Sequence, residues 1–149
     1  MSAARPTWNV GDELEERTLP PVTRSQLTKY AEASGDYNPI HTSDEAAEEA
    51  GLPGVIAHGM LIAATMGLLL STYLEHGYIR EIRSRFSGMV YPGDELTVGG
   101  RATGTEDTPE GRLYTFDVYA RKGKDVVVSG MMSFFMFEDR ARVGCPKRS

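Results

Sequence analysis

The chain has 149 residues, 40% of them hydrophobic and 25% charged, which suits one domain with a buried core and excludes a disordered or fibrous chain. A net charge of −5, with basic residues that form no stripe, argues against nucleic acid as the main partner. The single cysteine, Cys145, excludes an intramolecular disulfide and a cysteine-built metal centre, and Met1 to Trp8 lacks the apolar core of a signal peptide, so a cytoplasmic protein is the simplest expectation.

Residues Trp8 to Leu14 read as a short strand and turn, punctuated by Gly11-Asp12. Thr23-Arg-Ser-Gln26 is a capping box that opens a helix. Its apolar face is Leu27, Tyr30 and Ala31, and Gly35 stands where a left-handed stop belongs. A second box, Thr42-Ser-Asp-Glu45, predicts a short helix ending at Gly51. Between the two lies a proline turn that carries Asp36 and His41, so a carboxylate and an imidazole share one loop held by two capped helices.

From Gly51 to Leu74 there is no Asp, Glu, Lys or Arg. Pro53, Gly54, His58 and Gly59 interrupt the first part, and Met60 to Leu70 is shorter than the ~20 residues of a membrane span. The stretch therefore predicts a core helix from about His58 to Glu75, apolar nearly all round and enclosed on most sides. No membrane association is expected.

Beyond it the period changes to two. Ile82, Phe86 and Val90 alternate with Arg83, Arg85 and Met89. Leu96, Val98 and Ala102 form the apolar side of a second run, and Tyr114, Phe116, Val118 and Ala120 that of a third. Val126 to Phe137 is apolar on both faces, as expected of a central strand or one covered by a partner. Breaks fall at Tyr91-Pro-Gly-Asp94, Glu106 to Gly111, and Lys122-Gly-Lys-Asp125, the last short enough for a tight hairpin. The expectation is one α+β domain over residues 1–149, a long helix wrapped by a curved antiparallel sheet, with 140–149 as a flexible tail. One such sheet leaves the Phe- and Met-rich last strand incompletely covered, which predicts self-association.

Two segments carry the chemistry. The run Tyr30-Ala-Glu-Ala-Ser-Gly-Asp-Tyr-Asn-Pro-Ile-His41, followed by Ile56-Ala-His-Gly-Met-Leu61, resembles the signature of the MaoC-like (R)-specific enoyl-CoA hydratases, hot-dog fold proteins that act on acyl thioesters. Tyr91-Pro-Gly-Asp-Glu-Leu96 resembles the turn that this family places before its third-from-last strand, and the similarity runs from about Val10 to Phe137. The resemblance implies that Asp36 and His41 activate a water, that Asn38 orients the turn, and that the Gly59 N–H binds the thioester oxygen. It implies reversible hydration of trans-2-enoyl thioesters of CoA or acyl carrier protein, by a homodimer or higher homo-oligomer, with no cofactor and no metal. Family members often carry a serine on the central helix where this chain has Gly67, with Thr65 the nearest hydroxyl.

Plainer readings stand beside these. Asp36 can simply cap the turn before Pro39, and His41 can be a satisfied structural histidine. His58 reads as structural, its side chain bonded to backbone near the helix start. Arg80, Arg83 and Arg85 read as a solvated strand face, or as contacts for a phosphate of the substrate's handle. Met66, Leu69 and Tyr73 are candidates for setting pocket depth. Two alternatives remain open at this level: a hot-dog acyl-thioesterase, and a non-catalytic acyl-thioester binding subunit.

Overall fold

The computed structural model describes residues 3–139. The expected tail at 140–149, with Cys145, lies outside the described residues. Five antiparallel strands form one sheet: β1 Glu13–Thr18, β2 Gly77–Phe86, β3 Thr97–Thr108, β4 Gly111–Lys122 and β5 Asp125–Phe137, in the order β1-β3-β4-β5-β2. Helices α1 Arg24–Ser34 and α2 Asp44–Glu49 flank a 3-10 turn at Pro39–His41, and α3 Gly59–Met66 with α4 Leu68–Ser71 supply the central helix. This is the expected α+β hot-dog architecture. No helix among the described residues is long and apolar enough to cross a membrane.

The helix starts obey their local chemistry. The Thr23 hydroxyl accepts from the Gln26 N–H at 3.1 Å, and Gly35 closes α1 at φ 75° with its N–H on the Ala31 carbonyl. The second cap falls one residue later than the box predicts. Ser43, not Thr42, is the cap and accepts from the Ala46 N–H; Thr42 instead closes the preceding 3-10 turn, its N–H on the Pro39 carbonyl.

The central helix is shorter than the apolar run. It breaks at Gly67 and ends at Ser71. Two hydroxyls bend back onto their own helix, Thr65 onto the Ile62 carbonyl at 2.6 Å and Ser71 onto the Leu68 carbonyl at 3.1 Å, and such back-bonding, with a glycine between, loosens the helical ladder. Nor is the helix enclosed all round. Ile62, Ala63, Met66, Leu69 and Leu70 are buried, whereas Met60 and Leu68 are exposed.

Two strands are displaced from their expected places. The first begins at Glu13, because Gly11 at φ 98° forms a turn there. Trp8, expected in that strand, is instead a core anchor, its ring near-perpendicular to those of Tyr73, Tyr114, Phe116 and Phe134 at 4.9–6.3 Å. The second strand runs over Gly77–Phe86, not Ile82–Val90. It does not neighbour β3, its successor in sequence. It crosses to pair with β5, with Ile82 opposite Met132 and Phe86 opposite Val128. Residues 87–96, freed from the sheet, form an irregular wall in which Val90 is buried and Met89 exposed. The third strand extends to Thr108, so the expected break at Glu106–Gly111 shrinks to a tight turn. The predicted hairpin is present, with Gly123 at φ 57° between β4 and β5.

Candidate functional site

The loop between α1 and α2 is tied at several points. Asp36 accepts the Asn38 N–H on Oδ1 at 3.2 Å and donates its own N–H to the Ser34 hydroxyl oxygen at 3.2 Å. Asn38 Oδ1 accepts from the Ile40 N–H and caps the 3-10 turn. Asn38 thus bonds within the turn, and its side chain is not among those lining the neighbouring cleft. Further out, the Arg24 guanidinium spans both oxygens of Asp44 at 3.0 and 2.8 Å, and Asp44 Oδ1 also accepts the Val55 N–H. One carboxylate thus joins α1, α2 and the segment that leads to His58. The Arg24 hydrogen bond, then the Val55 N–H, hold its carboxyl below the usual carboxylate range.

His41, at the end of the turn, is buried. Its Nδ1 is 2.7 Å from the Ile56 carbonyl oxygen. A carbonyl only accepts, so Nδ1 carries the proton and donates. The other nitrogen, Nε2, faces Asp36 Oδ2 at 3.7 Å. That is too long for a direct hydrogen bond. With Nδ1 protonated, the gap lies between two acceptors, and a molecule with two O–H donors, such as water, suits it.

Gly59 is the first residue of α3. The first bonds of that helix run from the Leu61 and Ile62 N–H groups to the His58 carbonyl, so the Gly59 N–H precedes the ladder, as helix-opening amides do. Gly59 and His41 line one cleft of about 380 Å³, with Ile56, Ile62, Phe86, Met89 and Val128 among its walls. Asp36 is not part of that lining. Its side chain is 51% exposed and reaches His41 from the solvent side. The structure therefore brings His41 and Gly59 into one cleft and places Asp36 beside His41.

Phe86 belongs to the cleft and was not singled out from the sequence. A Cβ at Gly59 would stand 3.1–3.4 Å from its ring carbons. The β2 ring lies flush against the opening of α3, and this contact explains the glycine. The signal was the alternation that puts Phe86 on the apolar side of its strand. Of the expected pocket residues, Met66 and Leu69 are core and Tyr73 packs on Trp8; none lines the cleft. Arg83 pairs with Glu81 at 2.6 Å, and Arg80, Arg83 and Arg85 are exposed strand residues outside the cleft lining. Thr65 directs its hydroxyl to its own helix.

His58 is 1% exposed. It does bond backbone, as expected, but that of Asp36 instead of the helix start, with Nε2 3.2 Å from the carbonyl oxygen. Its ring stacks on that of His41, centroids 3.8 Å apart and 23° from parallel. Asp36, His41 and His58 each offer a ligand atom within 4.8 Å of the others. The stacking argues against a shared cation. Two ring planes this nearly parallel intersect well beyond the roughly 2 Å of a histidine–metal bond.

Comparison with known proteins bears on the family and the fold. A fatty acid synthase subunit beta of Aspergillus oryzae is 42% identical over 99 residues, which are 64% of this chain but only 5% of that protein. A mitochondrial 3-hydroxyacyl-[acyl-carrier-protein] dehydratase of Arabidopsis thaliana is 28% identical over 130 residues, 86% of this chain and 77% of the relative. Among solved structures, an (R)-hydratase from A. caviae involved in PHA biosynthesis superposes with a TM-score of 0.78 at 21% identity, covering 89% of this chain and 99% of its own. The family model described as the MaoC like domain matches residues 7–124, and the chain belongs to that family.

Proposed function

We propose that the chain catalyses the reversible hydration of trans-2-enoyl thioesters to (R)-3-hydroxyacyl thioesters. The observation that carries this reading is the 3.7 Å gap between Asp36 Oδ2 and His41 Nε2, beside a cleft into which a helix-opening glycine projects. A water beside the two atoms, within hydrogen-bond reach of both, donates one O–H to each base and keeps its lone pairs for attack. Its oxygen bonds to C3 of the enoyl group, one of its protons passes to the pair, and the pair returns a proton to C2. Negative charge develops on the thioester oxygen between these events, and the Gly59 N–H, with the α3 dipole behind it, stabilises that charge. Dehydration is the same path reversed. The dehydratase and hydratase names of the relatives support the reading. The cleft walls Ile62, Phe86, Met89 and Val128 are apolar and suit an acyl chain.

A second copy completes the protein in this reading. Ile82, Phe86 and Met89 on or next to edge strand β2, with Met60 and Leu68 of the central helix, are large apolar residues exposed in one protomer, and β2 has a strand neighbour on one side only. Pairing of two copies along this side would cover them and wall the cleft.

The test is spectroscopic. Purified protein with crotonyl-CoA should bleach the conjugated enoyl thioester without releasing free thiol. Thiol release would favour a thioesterase, and no change at any acyl length would favour a binding subunit.

A further inference from the structure

His58 stands outside the reaction drawn above, yet it contacts both residues that the reaction uses, Asp36 through its backbone carbonyl and His41 through its ring. It occupies the N-cap of α3, where its side chain caps nothing. Its Nε2 lies 3.2 Å from the Asp36 carbonyl oxygen and, facing an acceptor, carries the proton and donates. Its ring is stacked on that of His41 at 3.8 Å, and Tyr30 packs edge-on against it at 4.8 Å. Its remaining nitrogen, Nδ1, is buried without a hydrogen-bond partner among the described residues. A buried polar atom left unsatisfied is costly, a cost that an apolar side chain of similar shape would avoid. Packing alone therefore gives a poor account of histidine at this position.

We propose that His58 is a positioning residue for the Asp36/His41 pair, one side chain that holds the Asp36 backbone through its N–H and the His41 ring plane through its face. The proposal rests on the hydratase reading and extends it. Both restraints bear on the same distance. Asp36 sits on a loop with its side chain half exposed, and the Nε2–H bond anchors that loop at the residue that matters. The Ile56 carbonyl fixes one point of the His41 ring but leaves the ring able to pivot about it, and the flat face of His58 opposes that pivot. A misplacement of ~1 Å in such a constellation can cost ~10²-fold in rate.

Three variants separate the restraints. His58→Gln keeps a donor at the position of Nε2 and loses the ring. His58→Phe keeps the ring and loses the donor, and His58→Leu loses both. The expectation for crotonyl-CoA hydration, per folded molecule, is a kcat lowered about tenfold in Gln and in Phe and about 10²-fold in Leu, with KM within about threefold of the parent in all. A purely structural His58 predicts lower melting temperatures with kcat of the folded Gln and Phe proteins unchanged, and that result overturns the proposal. Should the Leu variant not fold, Gln and Phe carry the test. Imidazole 15N spectra supply a readout independent of turnover. His41 should show a single Nδ1–H form in the parent and averaged signals in His58→Gln, where the ring can pivot. An unchanged His41 signal in that variant overturns the clamp. If the parent protein hydrates no thioester, the hydratase reading fails, while the imidazole spectra still decide whether His58 holds His41.

Discussion

Replacing Asp36 with asparagine is the sharpest probe of the site, because the structure separates what the carboxylate does for the loop from what it does for the chemistry. The loop role is acceptance of the Asn38 N–H by Oδ1 at 3.2 Å. An asparagine Oδ1 accepts that bond equally well, and the side chain is half exposed, so Asp36→Asn should leave the melting temperature close to the parent value. The chemical role in the proposed mechanism is acceptance of a proton from water by Oδ2, and an amide does not supply it. General acid–base contributions run from about 10² to 10⁴, or about 3 to 5 kcal/mol of activation free energy. The assay is initial-rate loss of enoyl absorbance across a range of crotonyl-CoA concentrations, with kcat expected to fall at least ~10²-fold. His41→Ala should lose a comparable factor in kcat, but it also leaves the Ile56 carbonyl without its partner and removes the ring stacked on His58, so about 1–3 kcal/mol of stability should go with it. If both residues grip one water, as proposed, the double variant should lose far less than the product of the single losses. An Asp36→Asn protein that retains more than a tenth of the parent kcat, or a double variant in which the losses multiply, would refute the shared-water reasoning.

Light scattering at micromolar concentration should give at least twice the 16.4 kDa of one chain, and Ile82→Lys on the open edge of β2 should shift the population toward monomer; a stable parent monomer ends the dimer proposal. Trp8→Ala empties the centre of an aromatic cluster and should cost about 3–5 kcal/mol in urea unfolding, against little change if Trp8 belonged to a surface strand. Asp44, whose carboxyl is held below its ordinary range by Arg24 and the Val55 N–H, contributes stability that is fully present above that range and lost as pH falls through its lowered value. Asp44→Asn should therefore lower the melting temperature at neutral pH, and the difference should close in strong acid; a difference that persists there would assign the effect to packing.

How far the sequence could be read depended on whether a signal was local. The Thr23 cap, the Gly35 stop and the Lys122–Asp125 hairpin are set by groups within a few residues of one another, and all three are where their sequence puts them. Asp36, Asn38 and His41 lie on one turn, and their grouping was legible for the same reason. What was not legible depends on partners distant in sequence. The 2.0-residue period marks Ile82 and Phe86 as one face of a strand, but it does not say that β2 pairs with β5 or that Phe86 meets Gly59. Uniform hydrophobicity from Met60 to Leu74 reports burial and hides the break, because back-bonding by Thr65 and Ser71 leaves no mark on the apolar pattern. His58 was misread in part for a related reason: its partners, Asp36 and His41, come from a loop that precedes it.

The crossing of β2 to β5 also sets a timetable. The β3-β4-β5 meander closes through two tight turns, while the β2–β5 pairing must enclose the whole meander, and non-local pairings of that kind form late. Phe86 and Val128, opposite one another in that pairing, are walls of the cleft that holds His41. The loop that carries Asp36 and His41 is thus made early by the ribosome and furnished with its pocket only when the last strand arrives, so during synthesis the two residues stand for a time without the cleft walls that strands β2 and β5 supply.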